Sequence, residues 1–69
     1  MARILDNLKT ERESAGHSIH RLAALANVGS QTIITLENGG TADEHVVTRI
    51  ADALGVTLET LGQRVMEEA

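Results

Sequence analysis

The stretch RLAALANVGSQTIITLENGG, residues 21–40, decides the fold of this chain. Its first part carries leucine and alanine at helical spacing, and Asn27 then supplies a residue that tolerates the left-handed conformation in which helices often end. Ile33 and Leu36 form a second apolar pair, and two glycines close the segment. The stretch therefore predicts two short helices that are joined by a tight turn.

Apolar residues at three- and four-residue steps recur on both sides of this stretch, and each run predicts a further helix. A first helix begins near Ile4 and ends at Gly16, a fourth ends at Gly55, and a fifth covers residues 57–69. No segment shows the alternation of a half-buried strand. We therefore expect an all-α fold, a compact bundle of five short helices, in a single domain over residues 1–69.

Polar residues at the expected helix starts support these boundaries. Ser18 and Thr57 can each accept a hydrogen bond from a free N–H two or three residues further on. Thr41 and Glu44 have the spacing of a capping box before the fourth helix, and Asp43 is a rival cap at the same place. Each of these three helices is thus predicted to have its own start signal.

The composition narrows the possible functions of the 69 residues. The absence of cysteine excludes disulfides and thiolate metal sites, and the absence of aromatic residues excludes base-stacking platforms. The three histidines His17, His20 and His45 lack the matched partners of a zinc site, so we expect neither metal nor cofactor. No catalytic motif, small-molecule site or apolar run of membrane-spanning length is present, and the composition suits a cytoplasmic protein that is not an enzyme.

The formal charge of −4 is unevenly distributed along the chain. Residues 1–40 hold four basic and four acidic side chains, whereas residues 41–69 hold two basic and six acidic ones. An acidic surface repels phosphate. We therefore expect the C-terminal part of the chain to face away from any nucleic acid.

Two segments, LAALANVGSQTIITLENG (residues 22–39) and VVTRIADALGVTLETL (residues 46–61), together resemble the lambda-repressor-like helix-turn-helix family, which includes repressor and Cro proteins of temperate phages. The resemblance covers roughly residues 4–61 and assigns the motif to helices two and three, about residues 18–39. It implies a sequence-specific DNA-binding transcriptional regulator of phage or prophage type, a repressor or Cro-like protein. Such a protein would bind double-stranded DNA at a palindromic operator as a homodimer.

The resemblance also implies which residues meet the bases. The second motif helix of the family enters the major groove with its N-terminal end foremost. The base contacts expected from its outward positions are Ser30, Gln31, Thr32, Ile34 and Thr35. Gln31 is the most informative, because an amide can donate to and accept from adenine at once, which is worth about 1–3 kcal/mol of discrimination. The alternative is a solvated helix face without a partner.

Phosphate contacts are expected at the start of the first motif helix and at the end of the second, at Ser18, His20, Arg21, Asn38 and Gly39. Free N–H groups and the helix dipole attract phosphate at a helix start. Alternatively, Ser18 only caps its helix and His20 is simply exposed. The cations that we expect on the DNA side are Arg3, Lys9 and Arg21.

Arg12 requires a different role, because it falls on the apolar stripe of the first helix, where an unpaired charge is costly. In related phage repressors, arginine and glutamate at the matching positions form an internal ion pair. The resemblance therefore assigns Arg12 to Glu37 as a structural pair, which removes one cation from those available to DNA.

A homodimer needs an exposed apolar surface, and the fifth helix is the best candidate for it. The dimer-interface residues expected there are Leu58, Leu61, Val65 and Met66. Leu58 and Leu61 also suit the core, and residues 64–69 could instead be a frayed tail. A second function stays open as well, since the reading helix lacks lysine and arginine. The same fold could serve as a protein-interaction module, antitoxin-like or adaptor, with weak or no DNA binding.

Overall fold

The structure of the chain, a computed structural model, describes residues 2–66. Within these residues the elements follow in the order β1 (Ala2–Ile4), α1 (Leu8–Ser14), α2 (Ile19–Ala26), α3 (Ser30–Glu37), β2 (Thr41–Asp43), α4 (Glu44–Leu54), α5 (Leu58–Leu61) and β3 (Arg64–Met66). The five expected helices are present, with the motif at α2 and α3. None of the helices in this part of the chain combines the length and the apolar character that crossing a membrane requires.

The helices surround one core that consists of the residues at the periodic apolar positions. The fully buried side chains are Leu8, Leu22, Ile33, Leu36, Val47, Ile50 and Leu61, at least one from each helix. Ala23 and Ala26 are buried on α2, which packs against both α3 and α4. Small side chains at these positions let neighbouring helices approach closely, so the motif is held as one rigid unit.

A three-stranded antiparallel sheet accompanies the helices, with β1 between β2 and β3. Arg3 at the centre of β1 stands opposite Ala42 on one side and Val65 on the other. The expectation that the chain contains no strand was therefore wrong. Ile4, which was expected near the start of the first helix, lies in β1, and that helix begins at Leu8. Each strand has three residues, which is too short for an alternating pattern to be recognised.

The Arg3 side chain connects β1 to the start of α4 and to the residue that follows α5. It is only 7% exposed, and its guanidinium donates to the Gly62 carbonyl at 2.8 Å and to the Glu44 carboxylate at 3.1 Å. The prediction of Arg3 as a cation on the DNA side was therefore wrong. The expected capping box between Thr41 and Glu44 is not formed, because Thr41 lies in β2 and the Glu44 carboxylate pairs with Arg3.

The C-terminal part of the chain differs most from its prediction. Helix α5 ends at Leu61 and does not continue to residue 69, because the backbone turns at Gly62 to form β3. The Leu61 carbonyl accepts a 2.7 Å hydrogen bond from the N–H of Asn7. Leu61 is fully buried, so its assignment to a partner surface was wrong. Residues 67–69, the end of the predicted dimerisation helix, lie outside the described residues.

The remaining dimer candidates belong to α5 and β3. Leu58 is half-buried against the core, and Val65 is 36% exposed on β3. Met66 is the last residue of the same strand. These three residues keep their place in the homodimer hypothesis, which now involves a strand rather than a long helix.

Gly62→Ala should destabilise the fold. A Cβ at this position would overlap the Ile4 carbonyl oxygen and would lie 2.8 Å from the Leu5 Cα, and backbone atoms cannot move aside as a flexible side chain can. Overpacking of this kind costs about 1–3 kcal/mol. Urea unfolding followed by circular dichroism should show that the free energy of unfolding falls by about 1–3 kcal/mol. The control Gln63→Ala, at an exposed neighbouring position, should change it by less than about 0.5 kcal/mol. Equal stability of Gly62→Ala and the wild type would contradict the close approach.

Candidate nucleic-acid interface

Helix α3 is anchored by one face and presents the other to solvent. Ile33 and Leu36 are buried on its underside, whereas Gln31, Ile34 and Thr35 are exposed on the outer face. Ile34 is 37% exposed, so an apolar side chain stands among the polar ones on this face. Ser30 and Thr32, the other expected base contacts, are half-buried. The outer face therefore offers amide, hydroxyl and methyl groups on a rigid helix.

An open depression of about 230 Å³ lies along this face. Its lining consists of Gln31, Thr32 and Thr35 from α3, with Leu36 below and Thr41 of β2 on the far side. The lining carries no formal charge. It can donate and accept hydrogen bonds through an amide and hydroxyl groups, which is the chemistry that base edges require.

Gly40 holds the C-terminal end of α3 close to the sheet. Its N–H donates to the Thr35 carbonyl at 2.9 Å, and a Cβ there would lie 2.6 Å from Thr35 Cγ2 and 2.8 Å from the Thr35 carbonyl oxygen. Asn38 and Gly39, the expected phosphate contacts, are exposed at this end, and Gly39 has a φ of +94°. The double glycine thus combines a left-handed residue with a point of close packing.

The start of α2 brings together most of the other expected phosphate contacts. The Ser18 hydroxyl accepts a hydrogen bond from the N–H of Arg21 at 3.1 Å, so Ser18 caps the helix as predicted. The side chains of His20 and Arg21 are exposed. In this cap the Ser18 hydroxyl oxygen accepts, so the hydroxyl hydrogen can still donate to a phosphate.

The turn between the two motif helices has the geometry that its sequence predicts. Asn27 adopts the left-handed conformation, with φ 58° and ψ 46°, and Val28 packs against the core. The N–H of Val28 donates to the Ala23 carbonyl at 3.0 Å. Gly29 is the N-cap of α3 and provides no side-chain hydrogen bond. This turn fixes the angle at which the start of α3 is presented.

The ion pair between Arg12 and Glu37 connects α1 to the end of α3. Arg12 Nε donates to Glu37 Oε2 at 2.6 Å, Nη2 donates to Oε1 at 3.3 Å, and Nη1 donates to the His17 carbonyl at 2.9 Å. The two side chains are only 11% and 8% exposed. The hydrogen bond to Glu37 raises the pKa of Arg12 above its ordinary value, although burial opposes this, so Arg12 stays charged at any working pH.

This pair also governs the electrostatics of the motif. Glu37 is the one acidic residue between residues 18 and 39, and Arg12 neutralises it. Helix α3 therefore carries no uncompensated negative charge towards a partner. Of the cations expected on the DNA side, Lys9 and Arg21 are exposed.

Sequence patterns did not reveal three features of this surface. Thr41 completes the depression from β2, Gly40 packs against Thr35, and His20 Nδ1 lies 2.8 Å from the hydroxyl oxygen of Ser30. The second glycine of the pair was a signal for the close approach, whereas nothing in the local sequence indicates the other two contacts. Among the described residues, no three histidine, aspartate or glutamate side chains lie close enough together to hold a metal ion.

Comparisons with known proteins agree with this fold. Residues 8–61 match the sequence model of the helix-turn-helix family. The crystal structure of SinR, the master regulator for biofilm formation, in complex with DNA resembles the chain with a TM-score of 0.77. The two share 23% sequence identity, and the match covers 84% of this chain and 95% of that one, which establishes a common fold. No curated protein is significantly similar in sequence.

Glu37→Leu should destabilise the domain strongly, because it leaves the buried Arg12 guanidinium without its counter-charge. Removal of one partner of a buried pair costs about 3–5 kcal/mol, whereas replacement of both by apolar residues is often close to neutral. We therefore expect the double variant Arg12→Met/Glu37→Leu to melt at a higher temperature than Glu37→Leu alone. Thermal unfolding by circular dichroism measures both.

The matched control is Asp52→Leu, which removes an exposed acidic side chain from α4. Its stability should stay within about 0.5 kcal/mol of the wild type. If Glu37→Leu were as stable as this control, the Arg12–Glu37 pair would contribute nothing to the stability of the domain.

Proposed function

This chain belongs to the helix-turn-helix family and is a DNA-binding transcriptional regulator of the lambda-repressor-like type, and we propose that it acts as a homodimeric repressor at a palindromic operator. The observation that carries the proposal is the arrangement of α3. Its apolar side is buried, and Gln31, Ile34 and Thr35 project from a surface without uncompensated negative charge. The family is typically non-enzymatic, and the proposed site of action is cytoplasmic DNA.

Base contacts are proposed for the outer face of α3. The Gln31 amide can form two hydrogen bonds with adenine in the major groove, and the Ile34 side chain can contact a thymine methyl group. Thr35 and Thr32 present hydroxyl groups beside Gln31 in the same depression. A half-site that contains A·T pairs would fit these groups best.

Phosphate contacts are proposed for the two ends of the motif. Arg21 and His20 are exposed at the start of α2, where the helix dipole favours an anion. Asn38 and Gly39 are exposed at the end of α3. The Ser18 hydroxyl, which accepts the cap hydrogen bond from the Arg21 N–H, would donate its own hydrogen to a phosphate.

The small number of cations supports a dimer. Non-specific affinity for DNA comes mainly from cations that neutralise phosphates, and a monomer would present Lys9 and Arg21 to the duplex. Two copies related by a two-fold axis double these contacts and match two half-sites about one helical turn apart. Val65 and Met66 of β3, with Leu58, are the proposed contacts between the copies. SinR, which shares the fold, has been crystallised with DNA bound.

Selection from a random duplex library at low salt should yield a palindromic consensus for the wild type. In the same selection Gln31→Ala should lose the preference for adenine at one symmetric position, because an amide contact of this kind is worth about 1–3 kcal/mol. Gln63→Ala removes an exposed glutamine outside the motif and should keep the full consensus. Failure of the wild type to enrich any sequence, together with capture of a protein partner, would favour the interaction-module alternative.

Arg21→Gln should make DNA binding less sensitive to salt. Each phosphate contact contributes about −0.9 to the slope of log affinity against log salt, so loss of Arg21 from both half-sites should reduce the slope by about 1.8. Fluorescence anisotropy at several salt concentrations measures this slope. Arg49→Gln removes an exposed cation from α4, outside the motif, and is the matched control. Equal slopes for Arg21→Gln and the wild type would exclude Arg21 as a phosphate ligand.

A further inference from the structure

Thr41 stands outside the helix-turn-helix motif but borders the depression on the outer face of α3. It is the first residue of β2, it is exposed, and it lies across the depression from Gln31, Thr32 and Thr35. One of these residues, Gln31, is proposed to read adenine. Any role of Thr41 in reading DNA therefore rests on the proposed function.

Contacts with two other parts of the fold hold Thr41 at this place. In the sheet it pairs with Ile4 of β1, a strand that the buried Arg3 side chain fixes to the scaffold. The residue before it, Gly40, donates its N–H to the Thr35 carbonyl at 2.9 Å. A Cβ at Gly40 would lie 2.6 Å from Thr35 Cγ2, so β2 begins in close contact with α3. The scaffold itself thus sets the position of Thr41 beside the reading face.

The lining of the depression combines methyl groups with uncharged polar groups. Thr32, Thr35 and Thr41 each carry one methyl group, and the buried Leu36 lies below them. The Cγ2 methyl of Thr35 lies next to Gly40, on the side of β2. The described lining contains neither lysine nor arginine, so a phosphate would find no counter-charge there. A small apolar group with polar neighbours suits this lining best.

We propose that the depression receives the 5-methyl group of a pyrimidine in the major groove, and that Thr41 adds specificity by packing its own methyl group against it. Thymine is the standard DNA base that presents a methyl group in this groove, and a threonine methyl is one of the side-chain groups that recognise it. Ile34 does not line the depression, so this methyl group is distinct from the one proposed for Ile34.

The position of Gln31 supports this assignment. Gln31 lines the same depression, and its amide is proposed to bind adenine. An A·T pair presents the hydrogen-bonding groups of adenine and the methyl group of thymine along the same groove. A sequence rich in A·T pairs can therefore supply the amide contact and the methyl contact at neighbouring places.

Operator duplexes in which each thymine in turn is replaced by deoxyuridine test the assignment, because each replacement removes a single methyl group. The duplex is the operator selected by the wild-type chain, and fluorescence anisotropy measures the affinity. Uracil at the position bound in the depression should lower the affinity about fourfold, as expected for one buried methyl group. At the same position 5-methylcytosine should bind better than cytosine. Equal affinity for these two bases there would contradict the methyl site.

Two variants separate the methyl group of Thr41 from its hydroxyl group. Thr41→Ser removes the methyl group and should reduce the cost of uracil at that position from about fourfold to about twofold, because one wall of the site is lost. Thr41→Val keeps a methyl group, removes the hydroxyl group, and should keep the fourfold cost. Thr48→Ser removes an exposed methyl group from α4, outside the depression, and is the matched control. Circular dichroism melting of each variant excludes unfolding as the cause of a loss.

The outcomes separate the methyl site from the proposed function. A selected consensus with the same cost of uracil at every thymine for the wild type and Thr41→Ser would overturn the methyl site and leave the regulator proposal in place. An equal loss of affinity by Thr41→Val on thymine and uracil duplexes would show that the hydroxyl group binds the DNA backbone, which would also overturn it. The absence of any consensus for the wild type would overturn both proposals.

Discussion

Burial of the underside of α3 is the constraint on which the rest of the structure depends. Ile33 and Leu36 enter a core to which every helix contributes, and this fixes the direction in which Gln31, Ile34 and Thr35 project. A helix of eight residues would not be stable in water by itself, so its order comes from this packing. The outer face can remain polar and partly apolar without cost to the fold, because it takes no part in the core.

The charges of the domain are arranged around the same helix. Arg12 is used inside the protein, where it cancels Glu37 and holds α1 against α3, and Arg3 is used to connect β1 with α4 and Gly62. Both guanidinium groups stabilise the scaffold and are lost to any ligand. The outer face of α3 is consequently neutral rather than basic, and specificity at such a face has to come from amide, hydroxyl and methyl groups and from helix ends.

The helical part of the fold could be predicted from the sequence because its signals are local. The apolar period, the Ser18 cap and the left-handed Asn27 lie within a few residues of the structure that they determine. The sheet could not be predicted in this way, since its three-residue strands pair positions such as Arg3, Ala42 and Val65, which are far apart in the chain. The length of the fifth helix was overestimated for the same reason, because Gly62 packs on Ile4 and Leu5 at the other end of the chain.

The features of the candidate site also separate into those that the sequence predicted and those that depend on tertiary packing. The apolar period of α3 by itself identified Ile33 and Leu36 as the buried side of the helix, and the resemblance to a known family assigned Arg12 to Glu37. Only the tertiary structure decided that Arg3 is buried, that Thr41 borders the α3 face, and that His20 meets Ser30. A helix face is set by the 3.6-residue turn of one segment, whereas these contacts depend on how separate segments pack against each other.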